Sequence, residues 1–369
     1  MNRPVSPPRA IESFAVETRD GLIFTVKGLL HPADRVIAYL RYVPDPTGER
    51  LRNKTRYRRV YYAADQVRVL AESHPAYIRF DRALGARVQT VPWEDITRVY
   101  DPRRRLSQIS SEGGGSHLEE LALELATTLA RAGESELGVL GVTGSLLFRL
   151  TSEDSDVDLV VYGGPASERI HSAARRLMTE QACGLRPLTP REVEALHQGH
   201  RTETPIDLDK FALLQGRKVN EGRFKDRSYF LRFVRLPGEI GEAYGDPSYR
   251  SGPRVSLQAE IVGDGEAIFT PNRYSIERVE FGSGGRLGRA RGSTETSGAQ
   301  GFEGGKAGCE PEDARPLEII SFRGRFAEQA KRGERVRARG RLERVIPRAG
   351  RPWWRLNVGG EPGDYLIPV

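Results

Sequence analysis

Cysteine, methionine, tryptophan and lysine are all scarce in this chain of 369 residues: two Cys, two Met, three Trp and seven Lys. Cys183 and Cys309 stand far apart with no Cys-x-x-Cys pair, which excludes a thiolate zinc cage and a disulfide framework and makes a reducing cytoplasm the expected location. Long apolar runs are missing too. Nothing approaches the roughly 18–20 residues that a membrane-spanning helix needs, and the mean hydropathy is −0.50. The first residues carry Arg3 and Arg9 but no apolar stretch, so no secretory signal is expected. There is no Gly-x-Ser-x-Gly elbow, and the stretch Gly282 to Gly288 lacks the spacing and the flanking strand and helix of a dinucleotide loop.

Basic charge is plentiful. Lys and Arg number 57 against 50 Asp and Glu, a net charge of +7. The charge is unevenly placed: residues 1–110 carry net +8, residues 111–210 net −8, and residues 211–369 net +7. An acidic centre between basic flanks points to cations in the middle and a polyanion at the sides.

Strand-like runs at 22–26 and 35–40, parted by turn residues Asp20-Gly21 and His31-Pro32, predict a β-rich N-terminal domain over 1–110. Leu118, Leu121, Leu125 and Leu129 predict an amphipathic helix over 117–132. Strands are then expected at 138–142, 157–162, 206–211 and 228–234, with a helix over 166–179, giving a central domain over 111–250. From about 253 the pattern is strands alone, interrupted by a Gly-rich flexible loop at 282–315. The last domain, 251–369, reads as a small β-barrel. The predicted class is α+β, a mixed sheet with helices between two β domains.

The chemistry concentrates between Gly141 and Tyr162. One buried strand ends in Gly144-Ser145, and ten residues later Asp156 and Asp158 head a second apolar strand. Strand side chains alternate, so both carboxylates share a face while Val157 points inward. Two carboxylates so placed suit a hard divalent cation, Mg²⁺ or Mn²⁺, bound together with substrate phosphates. Gly144 allows close backbone approach, and Ser145 offers a hydroxyl to phosphate. Asp154-x-Asp156-x-Asp158 also begins like an EF-hand loop, but Leu159 and Pro165 stand where that loop needs Gly and Glu.

The set Gly144, Ser145, Asp156 and Asp158 resembles the nucleotidyltransferase superfamily typified by DNA polymerase β, whose pattern is a Gly-Ser turn followed by Asp-hydrophobic-Asp. The whole chain is also similar to a group of uncharacterised prokaryotic predicted nucleotidyltransferases, through the segment from Asp20 to Tyr39. The resemblance implies a polymerase β-like central domain, Gly144 and Ser145 on the nucleoside triphosphate, and Asp156 and Asp158 on metal. It also implies a third carboxylate on a later strand. Asp207 and Asp209 are the candidates, Asp207 first, with Glu260 as a remote one. The expected reaction moves a nucleoside monophosphate from the triphosphate to a hydroxyl and releases pyrophosphate.

The flanks suggest the acceptor. Arg52, Lys54, Arg56, Arg58 and Arg59 interleave with Tyr57, Tyr61 and Tyr62, and Arg335, Arg337, Arg339 and Arg341 alternate strictly before Trp353 and Trp354. A basic barrel face with an aromatic resembles oligonucleotide-binding barrels, so RNA or DNA is the expected partner and no membrane is expected. Two alternatives stay open: nucleotidylation of a protein or small molecule, and a nucleic-acid-binding protein whose central domain is inactive. His171, His197 and His200 read as surface histidines rather than a metal site.

Overall fold

Alternating apolar residues in the first hundred positions close one sheet, and in the computed structural model, which describes residues 10–200, 206–282 and 315–369, that sheet has eight strands. They are β1 (Ala15–Thr18), β2 (Ile23–Val26), β3 (Arg35–Pro44), β4 (Arg50–Arg52), β5 (Thr55–Arg59), β6 (Ile78–Asp81), β7 (Ala86–Pro92) and β8 (Ile96–Tyr100). The main path runs β4-β5-β3-β2-β1-β8, with β7 also on β3 and β6 on β7. Helix α1 (Ala63–Ser73) follows β5.

The central unit begins with α2 (Pro102–Glu112), capped by the Asp101 carboxylate on the Arg103 N–H and opened by Pro102. Then come α3 (His117–Ala132), β9 (Leu140–Val142), α4 (Gly144–Phe148), β10 (Val157–Tyr162), α5 (Gly164–Glu180), β11 (Leu185–Arg186), α6 (Pro190–His200), α7 (Leu208–Gln215), β12 (Glu221–Phe224) and β13 (Arg227–Val234). The helix expected over 117–132 is α3, with Ser116 capping the Glu119 N–H. The sheet order is β11-β12-β13-β10-β9, with β13 parallel to β10 and the other neighbours antiparallel. Leu106 and Ile109 of α2 join the core of this unit, beside Leu121, Leu125, Val157, Leu159 and Val161.

One expectation fails here. Residues 206–211 do not form a strand: Asp207 accepts from the Lys210 N–H at 2.9 Å and so caps α7, and Asp209 lies in that helix's first turn. Asp at the cap outweighed a short apolar alternation, since a side-chain acceptor satisfies a helix end and a two-residue pattern specifies little.

The final strands are β14 (Ser248–Gly263), β15 (Asn272–Phe281), β16 (Pro316–Ser321), β17 (Arg335–Ile346), β18 (Trp353–Asn357) and β19 (Tyr365–Pro368). They pair in the order β14-β15-β16-β18-β17, and β14 pairs again with β17, so five strands close into a barrel with β19 added on β17. The flexible loop expected at 282–315 lies, but for its end residues, outside the described residues. Among the described residues no helix is long and apolar enough to cross a membrane.

The barrel is fastened to the central unit by Glu328. Its buried carboxylate accepts from the Val219 N–H (2.8 Å), the Asn220 N–H (3.3 Å), His171 (2.8 Å) and Arg175 (2.6 Å). Burial pushes this carboxyl up, but those hydrogen bonds and charges outweigh it and hold it below its ordinary value. Arg217 and Glu334 add a bidentate pair at 2.7 and 2.9 Å. Glu328→Ala strands several donors and is expected to cost about 3–5 kcal/mol. Arg175→Ala, at a half-exposed partner, is expected to cost below about 1 kcal/mol. Chemical denaturation of both variants checks this; equal losses would contradict the role given to Glu328.

Candidate functional site

The alternation of β10 decides where its aspartate goes. Val157, Leu159 and Val161 pack with the helices, whereas Val160 and Tyr162 belong to the core of the N-terminal sheet. Asp158 shares the second face and lies half-buried at its open end, with Asp156 exposed just before the strand. Alternation along the strand puts Asp158 on the face expected for it.

Gly144 fits against this strand. The Thr143 N–H donates to the Asp158 carbonyl at 2.9 Å. Gly144 has φ +59, and a Cβ built on it would fall 2.0 Å from Asp158 Oδ2. Only glycine permits this approach. Ser145 follows, half-buried in the short helix α4, whose Leu147 and Phe148 lock into a cluster with Tyr42, Tyr57 and Tyr100. Turn and strand are thus fixed by apolar packing on both sides of the polar atoms.

Burial and the neighbouring Asp156 push the Asp158 carboxyl up to about 6, against the pull of Arg41, Arg232 and Arg59. Asp156 is also raised, first by partial desolvation of its carboxyl although the residue is exposed, and in part by Glu221, while Arg59, Arg223 and Arg227 lower it. Five guanidiniums from two units therefore bear on two carboxylates, and the carboxylates still resist ionisation. Arg41 and Arg59 have no ion-pair partner among the described residues, and burial and the proximity of Arg59 hold Arg41 below its ordinary value.. Arg232 is shared: it lies 3.7 Å from buried Glu12 and 3.3 Å from the Thr270 hydroxyl. Phe230, opposite Asp158 in the β10–β13 register, meets Gly324 of the barrel segment closely enough that a Cβ there would lie 2.4 Å from the ring. The carboxylate pair sits where the N-terminal sheet, the central sheet and the barrel meet.

No third carboxylate joins the pair from the expected places. Asp207 and Asp209 are tied to α7, whose Lys210 and Leu213, with Arg217 just past its end, line a cavity of about 650 Å³ against Arg335 and Ile367 of the barrel. Glu260 lies in β14 and pairs with Arg278 at 2.7 Å. Among the described residues no group of three or more acidic, His or Cys side chains is arranged to hold a metal ion. The carboxylate that does act on Asp156 is Glu221 on β12, which pairs with Phe230 as Phe230 pairs with Asp158. The sequence carries no signal for it, since the strand it heads was not among those expected. The donor set suits one divalent cation, held by Asp156 and Asp158 and completed by water and phosphate oxygens, better than two.

The basic clusters divide. Arg52 is consumed by Glu17, Tyr57 and Tyr100, Arg58 by Asp45, and Tyr57 is buried. Arg59, Tyr61 and Tyr62 are not so consumed. On the barrel, Arg335, Arg337, Arg339 and Arg341 line the outside while Val336, Ala338, Gly340 and Leu342 point in. Arg335 pairs with Glu280 and Arg341 with Glu361; Arg337 and Arg339 have no ion-pair partner among the described residues. Trp353 and Trp354 are both half-buried, Trp354 against the barrel core. His171 serves Glu328 and His197 bonds the Ile206 carbonyl; the His200 side chain lies outside the described residues.

No protein-family model matches the chain, and no solved structure matches it. It is 27% identical over 353 residues to an uncharacterized protein of Methanocaldococcus jannaschii, across 93% of this chain and 94% of that protein. An alignment of that extent takes in all three cores.

The raised Asp158 carboxyl sets a pH dependence. The folded state holds this proton more tightly than an unfolded aspartate with its ordinary value of 3.8, so its contribution to stability is present below about pH 4 and declines as pH rises to about 6. Asp158→Asn is expected to match wild type near pH 4 and to exceed it by about 2 kcal/mol above pH 6 in chelator. Thermal melts across that range test this, and a variant less stable at pH 7 would refute it.

Proposed function

We propose that the chain is a metal-dependent nucleotidyltransferase that moves a nucleoside monophosphate from a triphosphate to a hydroxyl of a nucleic acid. The observation carrying this reading is the pair Asp156 and Asp158, without a direct salt bridge among the described residues, held against the Gly144-Ser145 turn with arginines about it. The element order around it supports a polymerase β-like arrangement: β9, the short α4, then β10 carrying the carboxylates, with β13 parallel beside it.

In this mechanism Asp156 and Asp158 would hold the cation, and Mg²⁺ or Mn²⁺ there would supply neutralisation of phosphate charge and a lowered pKa for the attacking hydroxyl. Arg41, Arg59 and Arg232 converge on the same end of the face and bind the non-bridging phosphate oxygens, charge that grows as pyrophosphate departs. Gly144 keeps the turn close to Asp158, and the Ser145 hydroxyl donates to a phosphate oxygen. Glu221, one strand beyond Phe230, is the carboxylate available to orient the attacking hydroxyl. The acceptor's phosphates lie along the barrel, whose five-strand closure matches oligonucleotide-binding barrels, with Arg337 and Arg339 free to contact them.

A second reading has its own support. Asp207 and Asp209, the candidates for a third carboxylate, are held at α7, and Phe230 stands opposite Asp158 on the neighbouring strand, which favours a nucleic-acid-binding protein with an inactive central domain.

Asp156→Ala and Asp158→Ala are each expected to abolish metal-dependent transfer of labelled nucleotide. If wild type transfers nothing to RNA, DNA or protein with any of the four triphosphates, the enzyme reading fails; calorimetry with Mg²⁺ and nucleotide then shows whether binding survives. Removing Arg337 and Arg339 is expected to flatten the log–log salt dependence of RNA or DNA binding by about one unit per arginine. An unchanged slope would remove the barrel from the acceptor's path.

A further inference from the structure

Tyr61 and Tyr62 are large aromatics that the fold does not use. They are 54% and 59% exposed, whereas Tyr57 on the preceding strand is buried at 4%. Their rings meet edge to face, centroids 5.2 Å apart at 77°. Neither hydroxyl has a hydrogen-bond partner among the described residues, and Tyr62, the residue before α1, makes no side-chain cap bond. Single exposed aromatics are ordinary on a protein surface; a contiguous pair beside a charged site calls for an occupant.

Their neighbours identify its chemistry. The Arg41 and Arg59 guanidiniums lie 5.5 and 5.2 Å from the Tyr61 ring centre. Both cations also act on Asp158, and Arg59 acts on Asp156. The cations anchor Tyr61, and among the described residues no cation is paired with the Tyr62 ring. Phosphate-binding cations, then an aromatic surface one residue further on, is the order of groups along a nucleotide: anion first, flat π-system next. A peptide or a simple polyanion would use the arginines and leave the rings idle, while a base uses both.

We propose that Tyr61 and Tyr62 are a stacking platform for a nucleobase whose phosphates are held by Arg41 and Arg59 beside Asp158. The proposal rests on the reading of the carboxylate pair as a nucleotide site. It supplies what that site otherwise lacks, a contact that distinguishes a nucleotide from inorganic phosphate. Stacking is indifferent to base identity, so the platform selects for a base without selecting which one.

Calorimetry on the full chain tests it with three probes in Mg²⁺: inorganic triphosphate, ATP, and a five-nucleotide single-stranded RNA. The double variant Tyr61→Ala/Tyr62→Ala is expected to bind ATP or the RNA about 10- to 100-fold more weakly and to bind triphosphate as wild type does. Tyr61→Phe/Tyr62→Phe is expected to restore binding. Loss confined to ATP assigns the base to the donor nucleotide, and loss confined to RNA assigns it to the acceptor. Unchanged affinity for both overturns the platform, as does an equal loss for triphosphate, which would make the tyrosines mere props for the arginines. If wild type binds triphosphate no less tightly than ATP or the RNA, the platform fails and the site reading stands. If wild type binds none of the three, both fail.

Discussion

A single six-residue strand is shared by two apolar cores. In β10, Val157, Leu159 and Val161 serve the helices on one side, and Val160 and Tyr162 serve the N-terminal sheet on the other. A strand buried on both faces has no freedom of register, since a slip of one residue would exchange the two faces and place Asp158 among the helices. The N-terminal sheet is therefore part of the site's construction. The Tyr162 hydroxyl donates to the Glu12 carbonyl at 3.0 Å, and buried Glu12 in turn holds Lys27 at 3.0 Å and approaches Arg232. Apolar packing sets the position of Asp158, and this polar chain sets the position of the cation beside it.

The regional charges acquire a different meaning in three dimensions. The sequence suggested that the basic flanks serve a polyanionic acceptor while the acidic centre awaits a cation. Much of the N-terminal basic charge is spent internally, on Glu17, Asp45 and Glu12. Among those without an ion pair, Arg41 and Arg59 turn toward the carboxylates of the centre. In the alternating row on the barrel the same sorting leaves Arg337 and Arg339. Formal charge counts all arginines alike; the structure separates those already paired from those with field to spare.

Legibility followed the range of the interactions. The helix over 117–132 was readable because its leucine spacing and its Ser116 cap are local. The shared face of Asp156 and Asp158 was readable because alternation is local too. The barrel's strands were readable, as was the outward row of arginines. The stretch from Ile206 to Phe211 misled because two apolar residues fit a strand as well as a helix, and the Asp207 cap decided it. Glu221 and Arg232 escaped notice because strand pairing brings them beside Asp158 from far along the chain, and Arg41 because the N-terminal sheet packs against β10; nothing in their own neighbourhoods marks them. The short helix α4 followed the same rule, since its form depends on Tyr42 and Tyr100 packing over Phe148.

The Glu328 anchorage bears on scale. Because one carboxylate ties the barrel to the backbone at Val219 and Asn220, and because Phe230 abuts Gly324, the arginine row and the carboxylate pair stand at a set separation. Two contact points on a rigid frame act as a gauge. On the proposed reading, a flexible strand reaching from one to the other would need a certain number of links, so the frame would measure length while remaining indifferent to sequence.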